Sequence, residues 1–295
     1  MNGNTSHEVA SLDKAGIREH RRIMLKSFLR NKLALTGLII LMALTLLAIF
    51  APSITPVDPY EMEVANRLQP PSREHIFGTD AFGRDVFTRT IYGLRISLTV
   101  GILTALFTMV AGMIIGLLAA YFDFLDNVLM RLTEAMMSIP TTLLAIALMT
   151  LLGATTGNVV LSMAIVSTPG VARLARSTAL SVKQALYIEA VKSQGASWAR
   201  ILFKHIAPNI LSPIIVQTTF IFATAIITEA SLSFIGVGVP PPIPSLGNIL
   251  YEGKAVIYDS WWMVTFPGIF MILSVLAINI LGDGIRDLLD PLSNR

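Results

Sequence analysis

Five stretches of this chain carry no formal charge for longer than a bilayer is thick: Leu33–Val57, Ile96–Phe122, Ala135–Ala172, His205–Thr228 and Trp261–Gly282. Each exceeds the ~20 residues that a helix needs to cross the hydrocarbon core. Ala135–Ala172 is 38 residues long, too long for one crossing at about 1.5 Å per residue. Gly153 and Gly157, with Thr155, Thr156 and Asn158 around them, divide it into two spans joined by a tight turn. The expected fold is therefore all-α and polytopic, with six transmembrane helices. Only 14% of the residues are charged and mean hydropathy is +0.68, whereas a soluble domain carries about 25% charged residues. The rule of about 150 residues per domain belongs to soluble chains and does not apply here.

The segments between the spans set the organisation. Residues 1–32 form a tail with seven Lys/Arg at 14, 18, 21, 22, 26, 30 and 32. Residues 33–54 hold the first span, which is read as retained, because the leader is long for a signal peptide and Ala48-x-x-Ala51 is a poor cleavage site. Residues 55–95 are polar and rich in Pro and Gly, with five Arg against six acids. Residues 96–284 carry five further spans, and residues 285–295 form a tail. Asp123, Asp126 and Arg131 mark a short turn after the second span. A Gly/Pro-rich stretch, 236–260, precedes Trp261-Trp262, an aromatic anchor for the membrane interface.

Six spans place both termini on one side. With the N-terminus inside, inner segments hold sixteen Lys/Arg and outer segments six. Excess positive charge marks cytoplasmic loops, so both termini and the basic segment 173–205 are expected in the cytoplasm and 55–95 outside. The net charge of +3 is small and suggests no nucleic-acid partner. There is no cysteine, which excludes disulfides and thiolate metal sites.

That basic segment is the odd one in so apolar a chain. Tyr187 to Asn209 reads YIEAVKSQGASWARILFKHIAPN, with Glu189 the lone acid among six bases of 173–205. Gly195 permits a left-handed turn between two short helices. Pro208 suits the first turn of the next span. Glu189 is a natural partner for an arginine on a docking surface; the plainer reading is a solvated basic loop. Glu189-Ala190-x4-Gly195 followed by Pro208 resembles the EAA loop of ABC-importer permeases, with Val191 and Ala207 departing from the family pattern. The resemblance implies that this loop, within residues 176–205, is the socket of an ATPase subunit.

Three further motifs extend the resemblance. FGTDAFGRDVFTRTIYGLRISL at 77–98 is similar to a signature of the C-type permease of dipeptide and oligopeptide importers, and Asp80, Arg84, Asp85 and Arg89 match it, with Thr88 in place of Ser. EASLSFIGVGVPPPIPSLG at 229–247 matches apart from Ile235, Val237 and Leu246, and LGDGIRDLLDP at 281–291 apart from Ile285. By chemistry alone Asp80, Arg84, Asp85 and Arg89 read as a self-paired outer cluster; as part of the outer segment they are also candidates for docking a binding protein, along with Glu252 and Asp259.

Other features are weighed against plainer readings. Glu134 and Glu229 lie in or near spans, where acids serve proton relays. Both fall near membrane faces by residue count, which favours a structural role, or for Glu229 that of an outer gate. Gly247–Lys254 mimics a phosphate loop but has five residues between its glycines and Ala255 where Ser or Thr would hold magnesium. Gly112-x3-Gly116 favours close helix packing, within this chain or with a partner. His7, His20, His75 and His205 offer no metal-ligand spacing.

The resemblance implies a type I ABC importer permease of the MetI-like fold in a prokaryotic inner or plasma membrane. It implies a homologous B-type permease, two ATPase subunits and an extracytoplasmic solute-binding protein as partners, and alternating access as the mechanism. The chain itself is not expected to be an enzyme or to hold a cofactor; ATP and magnesium belong to the ATPase subunits. Di- and oligopeptides are the expected cargo, with nickel, metal chelates, glutathione and some sugars as alternatives within the family. A secondary transporter would need a midplane ionisable residue, and a membrane scaffold would leave the long outer segments without purpose.

Overall fold

The computed structural model of the chain describes residues 28–289. Lys14, Arg18, Arg21, Arg22 and Lys26 of the basic tail, and the Asp290-Pro291 ending, lie outside them. Most of the described residues are helical, with one isolated bridge between Thr79 and Asp85. Five helices are long and apolar enough to cross a membrane: α1 (Lys32–Ile49), α2 (Val86–Tyr121), α5 (Thr156–Lys183), α7 (Trp198–Ile235) and α9 (Trp262–Leu289). The pair α3 (Asp123–Met137) and α4 (Thr141–Leu152), bent by 98°, is long and apolar enough only when taken together. Short helices α6 (Leu186–Ser193) and α8 (Leu246–Lys254) cover the two ends of the bundle.

Two expectations are corrected. Asp123, Asp126 and Arg131 sit on the 15-residue helix α3, not in a short turn, and the third crossing does not begin at Ala135. Pro140 is the cause. It has no amide proton and disfavours helical conformation in Ile139 before it, so the chain breaks and restarts at Thr141. Secondly, the last ten residues of the outer segment 55–95 belong to α2, which starts at Val86 instead of Ile96. Asp85 caps it, accepting the Thr88 amide at 2.7 Å. The break at Gly153 is as expected: φ there is +86°, and α5 is capped by Thr155.

The bundle is held by close backbone approaches. Gly112 and Gly116 of α2 press on Val171, Ala172 and Ala175 of α5, so the small-residue motif packs inside this chain. A Cβ at Gly116 would lie 2.5 Å from the Ala172 carbonyl oxygen and 2.5 Å from the Ala175 Cβ. Neither can swing away. Gly116→Val is therefore expected to cost at least about 1–3 kcal/mol and to lower the melting temperature of the detergent-solubilised protein. On the far side α1 lies on α9, with Gly37 facing Ala277 and Gly284 facing Ala34.

Candidate functional site

Two ends of the bundle carry the residues singled out above. At one end α6 is anchored by Ile188, which is buried with Ile201, Leu202 and Ile206 of α7 and with Leu117 and Ala179 of α2 and α5. The chain leaves α6 through Gly195 at φ +77°. The Gly195 amide donates to the Lys192 carbonyl at 3.0 Å and the Ala196 amide to the Val191 carbonyl at 3.4 Å. This pair of bonds closes a helix on a left-handed residue and favours glycine there. No atom lies within 4 Å of where a Cβ would stand, so Gly195 is required by backbone conformation and not by crowding.

The second helix of the loop is not separate from the next span. Trp198–Arg200 runs through a π-helical segment, Ile201–Ile206, into the rest of α7. Pro208 explains the wide turn: in a plain α-helix its ring would meet the Lys204 carbonyl, and it brings no amide proton. The Asn209 side chain donates to the His205 carbonyl at 2.6 Å and to the Tyr187 hydroxyl at 3.2 Å, tying α6 to α7.

Glu189 projects from this framework. It lies in the first turn of α6, exposed, with no hydrogen bond or ion pair among the described residues. It borders a cleft of about 530 Å³ with Tyr121, Asp123, Lys183 and Lys192. Lys183 is already engaged, donating to the Ala120 carbonyl at 2.9 Å at the end of α2. Ala190 is exposed beside Glu189, as are Leu186, Tyr187, Trp198 and Phe203. Apolar side chains around an unpaired carboxylate on a rigid support suit a docking face. Residues 176–183 of the expected loop are still within α5, where Arg176 pairs with both oxygens of Asp126 and so holds α3.

At the opposite end Asp80, Arg84, Asp85 and Arg89 turn inward. Arg84 Nε donates to Asp80 Oδ2 at 2.6 Å and its Nη2 to Glu252 Oε2 at 2.7 Å. Arg89 Nη2 reaches the same Glu252 oxygen at 3.2 Å, and its Nε stands 3.6 Å from Asp80. Asp80 also accepts the Phe82 and Arg84 amides. Asp85 pairs with His75 at 3.0 Å. Asp80 and Arg89 are each only 1% exposed. The self-paired reading describes this cluster, and burial removes Asp80, Arg84 and Arg89 from the surface on which a partner would dock. Glu252 was the missed member: 163 residues separate it from Arg89, and no local pattern marks the pairing. Of the acids considered for docking, Asp259 remains exposed and free of ion pairs, beside Tyr258.

Glu229 is fully buried under two turns from the end of α7. Its oxygens accept the Ser97 hydroxyl at 2.9 Å and the Ser233 hydroxyl at 2.8 Å. Those hydroxyls in turn accept the Leu246 and Val239 amides. Glu229 thus fastens α2 and α7 to the Pro-rich loop and α8. The false phosphate loop is helix α8 itself, with Gly247 against the Ala230 backbone. Glu134 is exposed on α3, the first helix of the bent pair.

Residues 112–295 match the family described as binding-protein-dependent transport system inner membrane component, and residues 21–71 match the N-terminal transmembrane domain of oligopeptide transport permease C. The chain belongs to the binding-protein-dependent transport permeases. Its relatives include a probable peptide ABC transporter permease of Sinorhizobium fredii, 48% identical over 90% of this chain and 91% of that one. A dipeptide transport system permease protein of Alkalihalophilus pseudofirmus is 45% identical over 90% and 88%. The permease of the MetNI methionine ABC transporter in an inward-facing conformation shares the fold, with a TM-score of 0.59 and 19% identity over 69% of this chain and 97% of that one. As a binding-protein-dependent permease the chain is a multi-span inner-membrane subunit of an ABC importer, not an enzyme. Importers of this class combine permease, ATPase and binding protein, so the secondary-transporter and scaffold readings are set aside.

Proposed function

We propose that this permease carries di- and oligopeptides, pairing with a homologous B-type permease above two ATPase subunits and below an extracytoplasmic binding protein. The observation that carries the coupling role is Glu189, an unpaired carboxylate on a helix fixed to the bundle through Ile188. ATP-driven closure of the ATPases pushes on α6, and the Gly195 turn and Pro208 wide turn pass that push into α7. Peptide cargo is supported by relatives whose names specify peptides or dipeptides. Asp259, Tyr258, Tyr251 and Trp261 are exposed at the outer end and supply the docking surface for the binding protein, while Glu229 holds the outer ends together instead of gating by its own charge.

Reconstitution in liposomes tests this, adding one component at a time. ATP-dependent dipeptide uptake should need both permeases, the ATPases and the binding protein. Uptake with this chain as the sole permease would refute the heterodimer; competition by nickel or glutathione but not by dipeptides would refute the cargo.

Topology has its own test in this cysteine-free chain. Ser193→Cys on α6 should react with an impermeant thiol reagent only in inside-out vesicles, and Ser72→Cys only in intact cells. Labelling of Ser193→Cys in intact cells would overturn the placement of both termini in the cytoplasm.

A further inference from the structure

Resting on the peptide-importer reading, we infer that a hydroxyl-lined cleft between α4, α5 and α7 is this chain's wall of the substrate path, and that it takes the backbone amides of a passing peptide. The cleft has a volume of about 250 Å³ and no charged side chain in its lining. Thr141 comes from α4, Ser167 from α5, and Thr224 and Thr228 from α7, over a floor that includes Ala145 and Met163.

Depth is the first argument. Thr141 lies eleven residues from the Leu152 end of α4, Ser167 eleven residues from the Thr156 start of α5, and Thr224 eleven residues from the Ile235 end of α7. Those ends share the outer face. Eleven residues rise about 16 Å, which is the middle of a hydrocarbon core roughly 30 Å thick. Three helices bring polar groups to one level where lipid offers nothing to bond them.

The second argument is the division of labour among the hydroxyls. Thr224 donates to its own helix at the Phe220 carbonyl, 3.0 Å away, and Thr228 to the Thr224 carbonyl at 2.9 Å. Their oxygens are left as acceptors. The hydroxyls of Thr141 and Ser167 make no hydrogen bond among the described residues, so their protons are free to donate. Acceptors on Thr224 and, one turn further along α7, on Thr228, with donors on Thr141 and Ser167, match the N–H and C=O of a peptide unit. With no charge in the lining, neither terminus nor any side-chain type is preferred. Contacts of this kind are weak and sequence-blind, as a carrier that must release its cargo requires.

The fully assembled transporter provides the test. Thr224→Cys and Ser167→Cys should react with a charged, water-soluble methanethiosulfonate about tenfold or more faster than Phe107→Cys on the exposed face of α2, because only a hydrated thiol ionises readily. A transported dipeptide should slow the first two and leave the third unchanged. Reaction no faster than at Phe107→Cys would overturn the inference and make the cleft a dry contact between subunits. Reaction without protection by dipeptide would also overturn it.

A second variant asks about chemistry. Thr224→Val keeps the shape and removes the acceptor, so dipeptide uptake should fall a few-fold to about tenfold, with Thr224→Ser restoring it. A dipeptide N-methylated at its amide should show no such difference between wild type and Thr224→Val, since the binding protein is the same in both arms. An undiminished difference would refute amide recognition. Failure of the wild-type complex to move any dipeptide would instead sink the cargo reading, which is a separate outcome.

Discussion

Glu189→Lys should insert and fold normally yet lose transport by more than tenfold, either by releasing the ATPase subunit or by letting it hydrolyse ATP without uptake. The side chain is exposed and unpaired within this chain, so no internal contact is broken. Reversal places a cation against whatever basic group the carboxylate meets, and also against the positive end of α6. Glu189→Ala removes only an exposed pair and should lower uptake by less than about fivefold. The measurement is recovery of the ATPase on an affinity-tagged permease, with uptake and hydrolysis in parallel. Normal uptake and full ATPase recovery in the Lys variant would show that the docking contact lies elsewhere on the loop.

Asp80→Ala should be the most destabilising single change in the cluster of Asp80, Arg84, Arg89 and Glu252. Asp80 holds the Arg84 guanidinium at 2.6 Å, lies 3.6 Å from Arg89 and accepts two backbone amides. Its removal leaves two buried cations sharing Glu252 alone. Breaking a buried ionic network in this way costs about 3–5 kcal/mol. The expected result is a large drop in the detergent melting temperature and little protein recovered from the membrane. Asp80→Asn keeps the shape and the amide acceptor and should fall between wild type and Ala. An unchanged melting temperature for Asp80→Ala would mean that Glu252 alone neutralises both arginines.

The two ends of the molecule differ in how well they could be read in one dimension. The candidate coupling loop is local: Glu189, Gly195 and Pro208 lie within twenty residues of one another, and Gly195 and Pro208 each have a backbone reason visible in their residue type. Five of the crossings follow from charge-free runs alone. The outer cluster is not local. Arg84 and Arg89 announce that they need acids, but Glu252 completes them from a helix that resembles, in sequence, a loop. Helix ends escaped for similar reasons. Val86–Arg95 looks polar because Arg89 and Arg95 are in it, yet burial of Arg89 beside Asp80 and Glu252 keeps it helical. The bend at Pro140 carries its own signal, a proline inside a charge-free run, which the lack of charge across Ala135–Ala172 overshadows.

Helix α7 runs on from Trp198 to Ile235 for 38 residues, roughly 57 Å along its axis, with the π-helical turn at Ile201–Ile206 near its start. Near one end Asn209 bonds Tyr187 of α6, and near the other Glu229 accepts the Ser97 hydroxyl of α2. The two attachment points are twenty residues apart, about 30 Å along the helix, which is the hydrocarbon thickness of a bilayer. Tilting α7 by about 10° carries one tip about 10 Å relative to the other, a displacement on the scale of the cargo itself. Conversely, a cap that is pinned from outside leaves the inner tip little freedom to swing. Under the proposed coupling, a push on α6 would reach the Glu229 end of α7 through the helix itself, without a relay of side chains between them.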